Sequence, residues 1–296
     1  MSLQFRWDGE RRMKAWLQLV RAPAALTVLG DTVAGAAAAG KPLRGKRLAL
    51  PLSSAALYWS GMALNDWADR ELDAVERPER PIPSGRISPE QALAAAGALS
   101  LSGLCLAAFA GGRDALRVAV PLTAAIWAYD VKLKSTQAGP AAMALCRALD
   151  VTLGAGAGRW KSALTPAAVL AGHTFGVTMV SRGEVHGGSP TSARLALAGT
   201  VSSAVVAGGG RMRAPSHRLA ATMFALGYGG FVGSAQLAAS RDPSAASVRK
   251  ATVVGIHGMV PLQAGLAARR GSVLGAVLVA CALPLARRLS RRNSPT

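Results

Sequence analysis

The sequence predicts an all-α, polytopic transmembrane bundle, and three observations predict it. Apolar residues make up 51% of the chain and mean hydropathy is +0.28. They run in long blocks of Ala, Leu, Val and Gly, with the charges gathered between blocks. Several blocks reach the roughly 20 residues that cross about 30 Å of hydrocarbon. Because an unpaired backbone group is costly in lipid, blocks of this length must be helices.

Ten segments emerge in order. They cover residues 14–39, 48–68, 89–110, 115–129, 140–157, 163–180, 193–208, 219–239, 247–268 and 272–289, nine or ten of them spanning. The first follows a polar stretch with Arg11, Arg12 and Lys14, and no small-residue cleavage site comes after it, so it reads as a retained span. The segment 247–268 is the weakest, because it carries His257 and Pro261. No internal repeat or linker divides the chain, so residues 1–296 read as one domain, with a short basic tail at 290–296 expected to be disordered.

The formal charge of +19 does not point to nucleic acid. Lys and Arg sit at segment ends, as residues that anchor spans against anionic lipid headgroups do, and no basic helix or aromatic ladder accompanies them. Cys105, Cys146 and Cys281 lie singly inside apolar segments, which fits neither a disulfide framework nor a zinc pattern.

If the segments alternate sides, the acids do not distribute evenly. Asp66, Asp69, Glu71, Asp73, Glu76, Glu79, Glu90, Asp130, Glu184 and Asp242 share one side, while Asp114 stands apart on the other. Basic residues favour the acid-rich side only modestly, which weakly orients that face to the cytoplasm of a bacterial-type membrane. Topology needs no acids. Their concentration on one face calls for chemistry.

The densest stretch is ALNDWADRELDAVERPERPIPSGRIS, residues 63–88. Asn65, Asp69 and Asp73 recur at i, i+4 and i+8, which stacks three oxygen donors on one helical face. Oxygen-only donors suit a hard cation such as Mg²⁺, held through one or two carboxylates plus substrate phosphates. Asp66 lies about 100° around the helix, placed to help from the side or to cap a turn. Arg77, Arg80 and Arg86 follow in a loop stiffened by Pro78, Pro81 and Pro83. Guanidinium forks grip phosphate oxygens in bidentate fashion. Acids for metal beside arginines for phosphate read as a diphosphate site; a solvated helix end with local ion pairs is the plainer alternative.

The pattern N-D-x-x-D-x-x-x-D followed by R-P-x-R-P-I-P-S-G-R-I-S resembles the first aspartate-rich motif of the UbiA superfamily of intramembrane prenyltransferases. That resemblance implies nine transmembrane helices around a central cavity open sideways to lipid. It also implies an isoprenyl diphosphate bound through Mg²⁺ by motifs after the second and sixth helices. Carried onto this chain, Asn65, Asp69 and Asp73 become the first metal set, with Arg77, Arg80 and Arg86 near the diphosphate.

The loop after the fourth span, WAYDVKLKSTQAGP, should then offer a Tyr and a Lys to the diphosphate. The family lysine is expected four residues after the tyrosine. Here Lys132 and Lys134 stand three and five after Tyr129, and Lys134 is preferred because Lys132 can snorkel to headgroups. After the sixth span the family's second aspartate pair is replaced by Ser181-Arg182-Gly183-Glu184-Val185-His186. Glu184 is the lone acid for metal there, Arg182 can supply charge to the diphosphate in place of a second ion, and His186 can serve as a base.

Three ionisable groups lie inside spans: Asp31, Arg147 and Asp150. Charges at membrane depth face a partner or a cavity. Arg147 and Asp150, three apart, can neutralise each other, or these groups can contact a polar acceptor at the cavity floor. Trp59, Trp67, Trp127 and Tyr129 sit near the motif ends, as cation-stabilising faces or as belt aromatics.

The function so read is Mg²⁺-dependent ionisation of an isoprenyl diphosphate and prenyl transfer to a small lipophilic acceptor, with membrane lipids around it. A terpene cyclase that needs no acceptor and a non-catalytic lipid-binding protein or transporter are the alternatives.

Overall fold

The computed structural model describes residues 12–281 and 284. The expected first span, 14–39, is not one helix. Residues 12–19 are helical, and Arg21 then adopts the left-handed region (φ 47°), which ends that helix. A 3-10 segment, Ala22–Thr27, begins with a proline in its first turn and leads into α1, Leu29–Ala38. Proline opens such a segment well because the N–H it lacks has no partner there.

A 3-10 turn, Gly45–Leu48, leads into α2, Ala49–Ala68; a kink at Asp69 (φ −91°, ψ 6°) then separates it from the short α3, Arg70–Glu76. The loop behind α3 folds inward: Ile82 and Ile87 are buried with Ala15, Leu19 and Leu64. Ser88 caps α4, Pro89–Ala128, in a reciprocal capping box with Gln91.

Within α4, Gly112 has φ 59° and ψ −145°, values no helix takes. Trp127 Nε1 donates to Ser100 Oγ at 3.0 Å, although 27 residues of straight helix would hold them about 40 Å apart. The chain therefore folds back at Gly112, and the two segments expected at 89–110 and 115–129 are the antiparallel arms of one hairpin. A π turn, Tyr129–Leu133, ends the second arm.

The remaining helices are α5 (Gly139–Ala155), α6 (Trp160–Ser181), α7 (Pro190–Gly208), α8 (Pro215–Arg241) and α9 (Ala245–Ala268). Residues 273–281 are helical again. The segment holding His257 and Pro261 is a continuous helix after all. The remainder of the expected tenth span and the 290–296 tail lie outside the described residues. Among the described residues there is no strand.

α1 lies at the centre, touching α2, α5, α6 and α9. Small residues permit that approach. A Cβ on Gly154 of α5 would stand 2.7 Å from the Thr32 carbonyl carbon, and one on Gly35 would stand 2.9 Å from the Val151 carbonyl carbon. Backbone-to-backbone contact of this kind is how helices gain packing without a hydrophobic drive between them. One apolar core joins α2, α4 and α5 (Leu57, Leu122, Leu153). Another joins α1 and α5 to α6–α9 (Val151, Leu170, Tyr228, Val232, Leu262).

Among the described residues, three stretches are long and apolar enough to cross a membrane by themselves: Pro89–Leu133, Ala157–Ser181 and Ala245–Ala268. Large apolar side chains such as Leu101, Phe109, Leu164, Leu195 and Leu226 point outward. The acid-rich loops gather at one end. Lys134 pairs with Asp69, Arg182 donates to the Thr136 carbonyl, Arg249 donates to the Glu184 carbonyl, and the Gly188 amide donates to the Pro243 carbonyl at 2.8 Å. Alternation of the segments, inferred from sequence, brings these loops together.

Candidate active site

Despite the kink at Asp69, the backbone ladder of the motif continues. The amides of Asp69, Asp73 and Arg77 donate to the carbonyls of Asn65, Asp69 and Asp73 at 3.0, 2.8 and 2.8 Å. The three expected oxygen donors therefore keep one helical face, but they do not converge on one point. Asn65 Nδ2 donates to Asp130 Oδ1 at 3.2 Å. Asp69 pairs with Lys134 Nζ at 2.8 Å. Asp73 receives Arg80 at 2.5 Å.

Asp66 is more central than its position around the helix suggests. It is buried, and it shares Arg80 (3.2 Å) with Asp73 while also receiving Arg21 at 3.0 Å. Two turns separate Asp66 from Asp73, which returns both to one face. The left-handed turn at Arg21 precedes the 3-10 segment and places its guanidinium on this cluster.

The basic residues separate by position. Arg80 bridges two carboxylates, and Arg77 stands 3.9 Å from Asp73. Arg86 turns away from the acids: it donates to Gln18 Oε1 at 2.7 Å, Ser84 Oγ at 2.9 Å and the Glu79 carbonyl at 2.5 Å. Lys132 is exposed, whereas Lys134 reaches Asp69 and, at 3.4 Å, the Asn65 carbonyl. The π turn explains why the five-residue spacing works. The Lys134 amide donates to the Tyr129 carbonyl at 2.9 Å, an i to i+5 bond that absorbs one extra residue between tyrosine and lysine.

Beside Asp130 lies a partly open hollow of about 90 Å³. Leu57, Met62, Leu122, Ile126 and Met143 make its wall apolar; Tyr129 and Asp130 sit at its motif end, and Arg147 and Asp150 lie deeper on α5. Of the four aromatics expected near the motif, only Tyr129 lines it, joined by Tyr58. Trp67 stacks under Arg70 (5.0 Å to the ring), Trp127 serves Ser100, and the Trp59 indole N–H is buried without a partner.

The intramembrane charges do not pair as their i, i+3 spacing suggests. Arg147 pairs with Asp31 of α1, whose other oxygen accepts from Gln263 of α9 at 2.8 Å. Asp150 instead accepts from Ser54 Oγ at 2.6 Å and keeps Oδ1 unpartnered. α1 lies close enough to α5 to take the guanidinium first, so the pairing crosses helices.

The loop after α6 carries no acid pair. Arg182 is exposed and donates to the Thr136 carbonyl, beside the lysine loop. Glu184 is half-buried, with its carbonyl held by Arg249, and His186 is exposed.

Whether these groups suit a divalent cation can be tested on their present partners. Among the described residues, no three His, Cys, Asp or Glu side chains cluster as a ready metal site. Yet every donor is oxygen, and cations already occupy the gaps: Arg80 between Asp66 and Asp73, Lys134 against Asp69. The donor set fits a hard cation that displaces or joins them. Asp130, Tyr58, Arg21, Ser54 and Gln263 are members of this constellation that the motif alone does not single out. Asp130 was legible only as one more acid on the acid-rich side.

Helices of spanning length around an apolar hollow, with Asp130 at its edge bonded to the acid- and arginine-rich motif, define an integral membrane protein. The UbiA prenyltransferase family model matches residues 26–250, and the chain belongs to that family. It is 39% identical over 134 residues to the digeranylgeranylglyceryl phosphate synthase of Ignicoccus hospitalis, covering 44% of this chain and 42% of that protein. It is 33% identical over 102 residues to the chloroplastic chlorophyll synthase of Arabidopsis thaliana, covering 32% and 26%. The matched segment thus spans less than half the length of these curated relatives. A solved structure from work on digeranylgeranylglyceryl phosphate synthase in membranes superposes with a TM-score of 0.62 at 18% identity, covering 90% of this chain and 99% of that one. A UbiA homologue from Archaeoglobus fulgidus bound to DMAPP and Mg²⁺ gives 0.60 at 15%, covering 84% and 98%. Both share the fold.

Proposed function

We propose that this chain ionises an isoprenyl diphosphate inside the membrane and transfers the prenyl group to a lipophilic acceptor. The observation that supports this reading is the link from the Asn65–Asp73 oxygen donors and their cations, through the Asn65–Asp130 hydrogen bond, to the edge of the apolar hollow that Asp130 lines. The acceptor class is a glyceryl phosphate lipid, which the names of the digeranylgeranylglyceryl phosphate synthases favour over a pigment. The acid-rich face is the cytoplasmic one, in a membrane of bacterial type.

Asn65, Asp69 and Asp73, with Asp66 beside them and Glu184 from the loop after α6, would hold Mg²⁺. That ion supplies positive charge to the departing diphosphate. Arg80 and Arg77 are freed to turn from carboxylate to phosphate oxygens, and Lys134 moves from Asp69 onto the same group. Arg182 approaches from the facing loop. The apolar wall excludes water, so the allylic cation meets the acceptor before it meets a hydroxide. Tyr129 and Tyr58 present their π faces to that cation.

The test offers purified protein geranyl, farnesyl and geranylgeranyl diphosphates with Mg²⁺, with and without a monoprenylated glyceryl phosphate. Acceptor-dependent formation of a doubly prenylated product is expected. A cyclic hydrocarbon or alcohol formed without acceptor would overturn transfer in favour of cyclisation. Flux or binding with no diphosphate release would overturn both.

A further inference from the structure

We propose that Asp130 is a ligand for a divalent cation, completing with Asn65 and Asp69 a site for which the loop after α6 offers no acid pair. The assignment rests on the diphosphate reading above and concerns the same mouth of the hollow.

Asp130 is 3% exposed and lines the hollow. Its Oδ1 accepts from Asn65 Nδ2 at 3.2 Å, and among the described residues its Oδ2 receives no hydrogen bond. No Arg or Lys of the described residues pairs with it. Lys134, four residues on, gives its ammonium to Asp69 at 2.8 Å. Asp130 Oδ2 is not among the sealed, unpartnered polar atoms of the described residues, so a cation can reach it from the hollow.

The surroundings leave that oxygen reachable. A Cβ on Gly61 would stand 3.2 Å from Asp130 Oδ2 and partly cover it. Glycine at that turn of α2 keeps the approach open. Asn65 and Asp69 stand one helical turn apart on one face, and rotation of the Asn65 amide would turn its oxygen where its NH2 now meets Asp130. The Lys134 ammonium between Asp69 and the Asn65 carbonyl shows that positive charge is already accommodated there.

The facing loop offers less. Residues 182–188 contain one carboxylate, Glu184, together with a cation, Arg182, that is engaged by the Thr136 carbonyl. An acid on the π turn therefore provides what that loop does not. Arg80 between Asp66 and Asp73, and Lys134 against Asp69 beside the Asn65–Asp130 pair, mark two places for positive charge.

The test titrates Mn²⁺ into the full-length protein in detergent, with inorganic pyrophosphate present, and reads free Mn²⁺ by electron paramagnetic resonance. Loss of even an outer-shell partner weakens metal sites about 10–100-fold, so Asp130→Asn is expected to weaken Mn²⁺ binding by about tenfold or more. Asp130→Glu should retain more affinity than Asp130→Asn, and Glu90→Gln, at an exposed acid outside the cluster, should stay within about twofold of wild type. Melting temperatures of all three guard against misfolding. Equal Mn²⁺ affinity in Asp130→Asn and wild type overturns this assignment alone. So does an unaltered affinity paired with a lowered melting temperature, which marks a purely structural carboxylate. Failure of the wild type to bind Mn²⁺ with pyrophosphate overturns both this assignment and the diphosphate reading.

Discussion

Replacing Asp31 by alanine should destabilise the bundle without touching the acid cluster. Arg147 is 10% exposed and Asp31 is fully buried, so the pair has no water to fall back on. Removing one partner of a buried pair strands the other charge and costs about 3–5 kcal/mol. Gln263 loses one of its two acceptors, Asp31 Oδ1, and keeps only the Thr27 carbonyl at 2.9 Å, which adds about 1 kcal/mol. Asp150 could take Arg147 only by turning from Ser54, which now donates to it at 2.6 Å. At about 2–4 °C per kcal/mol for a chain of this size, the fall in melting temperature is on the order of 10 °C. Thermal unfolding in detergent, followed by size-exclusion recovery after heating, measures it. Asp31→Leu combined with Arg147→Met removes both charges and should recover most of the loss. A single variant within about 2 °C of wild type, or a double variant no better than the single, would refute the reasoning.

Three further outcomes follow from the same geometry. Lys134→Ala should lower kcat/KM for the prenyl diphosphate by about 10²-fold or more, while Lys132→Ala, exposed on the other side of the turn, should change it by less than about threefold; steady-state kinetics decide. Deleting Val131, which is exposed, converts the π turn to an α turn and leaves the lysine four residues after Tyr129; this variant should keep at least about a tenth of the activity that Lys134→Ala loses. Gly112→Ala forces a side chain into a conformation reserved for glycine and should cost about 1–3 kcal/mol in melting experiments, with kcat per folded molecule unchanged.

The apolar blocks made most of the fold legible. Length and the absence of water in hydrocarbon left helices as the only option, and alternation brought the acid-rich loops to one end, where Arg182 meets Thr136 and Lys134 meets Asp69. The break at Arg21 was not legible, because a left-handed arginine is fixed by its reach to Asp66, a residue 45 positions away. The motif's spacing gave the shared face of Asn65, Asp69 and Asp73, yet the backbone kink and the competition among Arg80, Lys134 and Asp130 decide where each side chain turns. Arg147 chose Asp31 over Asp150 for a similar reason: i, i+3 spacing describes one helix, and the close approach of α1 to α5 at Gly35 and Gly154 is a tertiary fact.

The most direct test of the account is a structure of the protein with Mn²⁺ and geranyl thiodiphosphate, phased to show the metal's anomalous signal. The account places that signal between Asn65, Asp69 and Asp73 and the two phosphorus atoms, with the geranyl chain running down past Tyr129 and Ile126. Metal and diphosphate bound elsewhere, or those side chains turned to bulk solvent with the hollow closed beneath them, would contradict it.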